Sequence, residues 1–193
     1  MRRIAVATLA VAVSSSVAFA GGATAWINAN HVASPAPGLD DPTIVAIFDA
    51  ANTADIETGQ LAADRGQSKE VREFGAMLVR DHTAVRQLGR DLAAKLHVTP
   101  TPPADDQGAK DHAAALKSLG ALHGAAFDHA FLRHEVAFHK AVIDAVNSTL
   151  LPAIQNGEVK ALVVKVAPAF QAHMLAADNL DKKLGFDAKL GAK

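Results

Sequence analysis

Apolar residues recur every three or four positions through four long stretches of this 193-residue chain, and nowhere do they alternate. A period near 3.6 is the helical one, so the pattern admits packed helices and gives no support to a sheet. Each stretch is bounded by residues that stop helices. Asp41-Pro42 reads as an N-cap followed by proline in the first turn, and Gly66 closes this first helix. Ser68 caps a second helix that ends before Thr99-Pro100. A short helix from Asp111 leads to Gly124, and a third long one runs from Ala125 past Val146 until Pro152 and Asn156-Gly157 end or bend it. The fourth extends from Glu158 to Leu184, and Pro168 inside it predicts a kink.

The middle connection decides the topology. Val98 to Lys110 contains Pro100, Pro102 and Pro103 and has no helical pattern. Its thirteen residues can reach about 40 Å, more than the ~30 Å of a 20-residue helix. A bundle that only turns back on itself has no use for such a link. The expected fold is all-α, a ferritin-like four-helix bundle with one long crossover between helices 2 and 3. It occupies residues 41–185, with a tail over 186–193.

The N-terminus carries a different message. Arg2 and Arg3 precede an apolar run from Ile4 to Val13, and Val17-Ala18-Phe19-Ala20-Gly21 supplies small residues for cleavage. Residues 1–20 therefore read as a signal peptide, and 21–40 as a flexible leader. Ser14-Ser15-Ser16 breaks the run before it reaches membrane-spanning length, and no later stretch approaches it. Without Arg2 and Arg3 there are 17 basic and 20 acidic residues, a net charge near -3. That balance excludes a broadly basic nucleic-acid binder. Having no cysteine excludes disulfides and thiolate metal sites. The expected protein is exported, most simply to a bacterial periplasm, with no membrane insertion after cleavage and no nucleic-acid partner.

Each apolar stripe is interrupted by an ionisable residue. The first helix runs Ile47, Ala50, Ala54, Glu57, Leu61, and the second Phe74, Leu78, His82, Val85. The third gives Asp128, Leu132, Glu135, His139, Val142, and the fourth Val166, Phe170, His173, Ala177. An unpaired charge in a core costs several kcal/mol or shifts its pKa, so these groups must find partners. The midpoint of His139 and His173 falls at residue 156, inside the Asn156-Gly157 turn. Glu57 and His82 straddle the Gly66–Ser68 turn almost as evenly, so the four levels agree. Glu135, one turn from His139, can face the same centre. Glu57, His82, Glu135, His139 and His173 are thus candidate ligands for one transition-metal ion such as Zn, Fe, Cu or Mn. Asp128 lies about 16 Å along the axis from His139, too far to share an ion, and suits a helix cap, a neighbouring contact or a separate site. Asp55 and Asp81 are expected to face solvent or support the ligands. His112, His123, His129 and His134 are expected on the surface, and His31 and His97 are assigned no role.

Several segments also resemble a known family. Asn52-Thr53-Ala54-Asp55-Ile56-Glu57-Thr58-Gly59-Gln60-Leu61-Ala62 resembles the opening motif of the bacterial family called domain of unknown function 4142. Met77-Leu78-Val79-Arg80-Asp81-His82 is similar to its second motif, Gly124-Ala125-Ala126-Phe127-Asp128 with His139 to its third, and Pro168 with His173 to its fourth. The resemblance covers about residues 40–184. It implies an exported ferritin-like bundle with Glu57, His82, Asp128, His139 and His173 as recurring polar positions, and it implies no activity. The Glu-x-x-His pairs of di-iron carboxylate bundles are missing, because Val79, Val136 and Phe170 stand three residues before the histidines.

Two readings remain open. One is a metal-binding bundle serving metal homeostasis or stress protection. The other is a metal-free interaction module in which the same residues form a buried polar network. Redox catalysis at the centre is a third and weaker reading. No nucleophile elbow or ordered Ser/His/Asp set supports a hydrolase.

Overall fold

The computed structural model describes residues 39–185. The signal-peptide reading, nearly all of the leader, His31 and the tail at 186–193 lie outside the described residues. Among the described residues every regular element is helical: α1 (Asp41–Arg65), α2 (Lys69–Lys95), α3 (Gln107–Gly120), α4 (Gly124–Ala145), the short α5 (Leu151–Ala153) and α6 (Gly157–Leu184).

Local chemistry sets the boundaries. Asp40, one residue before the expected cap, starts α1 by accepting the Thr43 amide at 2.9 Å. Ser68 Oγ accepts the Val71 amide at 3.1 Å and starts α2 as expected. Asn156 Oδ1 accepts the amides of Glu158 and Val159 to open α6. The short helix begins at Gln107, before the expected Asp111, because Asp106 caps it through the Ala109 amide. A π turn over Val146–Leu150 ends α4 just ahead of Pro152. Pro168 lies inside α6 without terminating it.

Contacts at the two ends give the helix directions. Asp128 at the start of α4 accepts the amides of Gln67 and Ser68, each at 2.8 Å. Arg65 at the end of α1 donates to the carbonyls of Gly120 and Leu122. At the opposite end Asp41 accepts the amides of Gln155 and Asn156 at 3.0 and 2.8 Å, and Lys95 pairs with Glu158. So α1 and α6 run one way, and α2 and α4 the other. The proline segment turns at the foot of α1, where the Thr101 amide reaches the Pro42 carbonyl at 3.1 Å. The length of the fold is therefore spanned by α3 and not by the extended link alone.

The α1–α2 pair is unusually close. A Cβ on Gly75 would sit 2.5 Å from the Gly59 carbonyl oxygen, and one on Gly59 2.9 Å from that of Gly75. Two glycines facing each other let the backbones approach where any side chain would hold them apart. One turn before Gly59 and two turns after Gly75 lie Asp55 and His82.

Two apolar clusters fill the interior. Phe74, Leu78, Phe127, Phe131 and Leu132 pack near the α1–α2 turn, while Ile44, Ile47, Val146, Leu150 and Val163 pack near the α4–α6 turn. Between them lies a layer of buried polar groups: Asn52, Asp55, Thr58, His82, Glu135, His139 and His173. By length and composition α6 could cross a membrane, contrary to the expectation that no later stretch approaches that length. It packs against α4 and α2 and turns Phe170 and His173 inward.

Candidate metal centre

Three histidines from three helices meet in the polar layer. His82 is 1%, His139 0% and His173 6% exposed, and their ligand nitrogens lie within 4.8 Å of one another. Each ring is held from behind by an oxygen acceptor. Asn52 Nδ2 donates to the Phe48 carbonyl at 2.8 Å, which turns Asn52 Oδ1 toward His82 Nδ1 at 3.0 Å. Nδ1 of His82 must then carry the proton, leaving a lone pair on Nε2. His139 Nδ1 donates to the Glu135 backbone carbonyl at 3.0 Å, which frees its Nε2. His173 Nε2 faces Asp81 Oδ2 at 3.3 Å, which favours a proton there and a free Nδ1.

Two of the free nitrogens meet directly. His82 Nε2 and His173 Nδ1 are 3.1 Å apart, and His139 Nε2 has no hydrogen-bond partner. A tetrahedral ion with bonds of about 2.0–2.1 Å sets its ligand nitrogens about 3.3 Å apart. Burial holds all three rings neutral, the form that ligates. Desolvation, with His173 adding to it, lowers the His82 pKa to about 3. Burial and the neighbouring His82 hold His139 well below the usual histidine range. Burial also lowers His173, although Asp81 opposes it.

Two carboxylates complete the layer. Asp55 Oδ1 is 3.7 Å from His139 Nε2, and Asp55 Oδ2 is 3.4 Å from His82 Nδ1. Glu135 Oε1 accepts the Thr58 hydroxyl at 2.9 Å, while Glu135 Oε2 lies 3.4 Å from His139 Nδ1. Both Asp55 oxygens and Glu135 Oε2 are buried without a hydrogen-bond donor. Burial, reinforced by the adjacent Glu135, pushes the Asp55 pKa well up. Burial pushes Glu135 up to about 7 against the pull of the Thr58 hydroxyl. Buried acceptors without donors are costly; a proton held between the raised Asp55 and Glu135 carboxyls would satisfy them, and so would a cation, which would engage the free imidazole nitrogens as well.

The family described as Domain of unknown function (DUF4142) matches residues 28–180, which takes in nearly every described helix. The chain belongs to DUF4142. No curated protein and no solved structure matches it.

Within this DUF4142 chain, the structure brings His82, Glu135, His139 and His173 together and leaves Glu57 out. Glu57 is half-exposed on the other side of α1, where it accepts from His112 Nε2 at 2.7 Å. Its place in the layer is taken by Asp55, two residues earlier and about 200° around the helix. The phase of α1 was hard to read because alanines surround it. Ile47, Ala51, Ala54, Thr58 and Ala62 are buried, whereas the stripe through Ala50, Glu57 and Leu61 lies to one side. Steps of four from Ile47 through Ala51 reach Asp55 and then Gly59, and that series was the available signal. Asn52 and Thr58, which orient His82 and Glu135, were also missed.

Asp81 stands behind His173, as a supporting contact. Asp128 caps the start of α2 and is remote from the centre. His112 and His129 pair with Glu57 and Asp181, His123 meets Arg65, and His134 stacks on Phe138. His134 is lowered to about 4, mainly by burial, so it is less of a surface group than expected.

Proposed function

We propose that this chain is an exported protein of ferritin-like four-helix topology that binds one transition-metal ion through His82, His139, His173 and Asp55. Glu135 lies beside the ion, as a further ligand or a charge partner. The observation that carries the reading is the set of tautomers. Three buried imidazoles each face an oxygen with one nitrogen, keep the other free, and hold their ligand nitrogens within 4.8 Å of one another, beside the buried Asp55 and Glu135 carboxyls. Neutral imidazole with carboxylate suits Zn, Fe, Cu or Mn. A role in metal homeostasis or stress protection is consistent with a tight, enclosed site and with export. Elemental analysis after refolding with each metal should give about one equivalent per chain, lost in the His82/His139/His173 triple alanine variant. Equal and substoichiometric metal in both proteins would sink the idea.

A metal-free polar network is the second reading, favoured by the 3.1 Å contact between His82 Nε2 and His173 Nδ1. If His173 carried its proton on Nδ1, that contact would be an ordinary hydrogen bond. His173 Nε2 would then present a lone pair to the Asp81 carboxylate at 3.3 Å, which is the unfavourable feature of this reading. Nitrogen chemical shifts of the chelator-treated protein identify the tautomer. A chelator that leaves thermal stability unchanged would favour the network.

A further inference from the structure

A pocket lies between α1 and α4 on the α4–α6-turn side of the histidines, with Ile47, Ala51, Asn52, Val142, Val146 and Phe170 in its wall. Its volume is about 30 Å³. A water molecule needs roughly 10–15 Å³ on this scale, and a benzene-sized ligand about 150 Å³. The space therefore suits a body of about two atoms and is too small to bury an acyl chain or an aromatic ring whole.

The chemistry of the wall excludes water as the preferred occupant. Asn52 is the only polar residue lining the pocket. Both ends of its amide are already engaged, Nδ2 with the Phe48 carbonyl and Oδ1 with His82 Nδ1. A buried water needs two to four hydrogen-bonding partners, and although the Asn52 amide keeps a second N–H and a second lone pair, no polar surface of the wall faces the space. The pocket also adjoins the polar layer directly. Phe170, whose ring centroid is 5.5 Å from that of His82 and 6.1 Å from that of His139, forms part of the wall between them. Asn52, which lines the pocket and meets His82 Nδ1 through Oδ1, is a second part of it.

We infer that this pocket is a binding site for a small apolar molecule of diatomic-gas size, held one residue away from the histidine cluster. Occupancy rests on the shape and dryness of the wall and does not require a metal at the histidines. A gas held there is stored against the Asn52–His82 and Phe170 edge of the centre, apart from the Asp81 side where His173 approaches the surface.

The test uses the chelator-treated full chain, with xenon and dioxygen as the probes. Xenon should shift the methyl resonances of Ile47, Val142 and Val146 in a saturable manner, and paramagnetic dioxygen should broaden the same methyls first. Ala51→Val and Val163→Ile each add bulk to the wall. Each should weaken xenon binding by about tenfold or more while the melting temperature is kept. Non-saturating shifts spread over the whole surface would overturn the proposal, and so would saturable shifts that persist in both filled variants. Because the protein carries no metal in this experiment, its failure and the failure of the metal reading are separate results.

Discussion

Glu135→Gln should stabilise the metal-free protein at alkaline pH and leave it little changed at acidic pH. The side chains are nearly isosteric, and the amide oxygen of Gln can still accept the Thr58 hydroxyl that Glu135 Oε1 accepts at 2.9 Å. What changes is ionisation. Burial raises the Glu135 pKa from 4.5 to about 7, so the native state holds this proton more tightly than the unfolded chain. A carboxyl of that kind contributes stability that is complete below pH 4.5 and lost as pH rises through about 7. At about 1.4 kcal/mol per pH unit, the interval corresponds to about 3 kcal/mol. Asp55 adds to the same sign, because it loses a like-charged neighbour in the variant. The buried histidines act oppositely. His82 and His139 are held neutral, so acid destabilises the fold below the usual histidine range. That contribution is common to both proteins and cancels in their difference. Urea unfolding of chelator-treated wild type and variant, from about pH 4.5 to about pH 8, measures that difference directly. It should open with rising pH in favour of Gln, chiefly between pH 5 and 7. A difference that stays flat within about 1 kcal/mol would refute the reasoning, since it would mean that Glu135 ionises as freely in the fold as outside it.

Asp55→Asn should lower metal affinity by at least tenfold in competition with a chelating dye, whereas Glu57→Ala should leave both stoichiometry and affinity unchanged. Equal effects at the two positions would contradict the observed phase of α1. Asp128→Ala removes the acceptor of two backbone amides and should cost about 2–3 kcal/mol in urea unfolding without altering metal content. Gly75→Ala places a methyl 2.5 Å from the Gly59 carbonyl, so calorimetry should show a loss of about 1–3 kcal/mol as α1 and α2 are forced apart.

Helix existence was legible from local signals alone. Ser68, Gly66, Asn156 and the proline cluster act on their immediate backbone, and an apolar period near 3.6 needs no partner to be read. His82, His139 and His173 were legible for a related reason: each interrupts a stripe of large apolar residues whose phase is unambiguous. Phe74 and Leu78 precede the first, Leu132 the second, and Val166 and Phe170 the third. In α1 that reasoning misled. Alanine is small enough to tolerate either side of a helix, so a stripe through Ala50 and Ala54 carried no firm phase and put Glu57 where Asp55 belongs. The start of α3 was obscured similarly, since one capping aspartate sets it and the apolar pattern begins later.

The sequence by itself determined that the chain is helical, where most helices start and stop, and which three histidines point inward. Those properties follow from backbone hydrogen bonding and side-chain volume within single segments. Only the tertiary structure decided that α3 lies along α1, that α2 and α4 run the same way, and that Asp55 shares a layer with the histidines. Each of these depends on how one helix is rotated against another. That rotation is set by contacts between distant residues, such as the Gly59–Gly75 approach and the clamps made by Asp41 and Asp128.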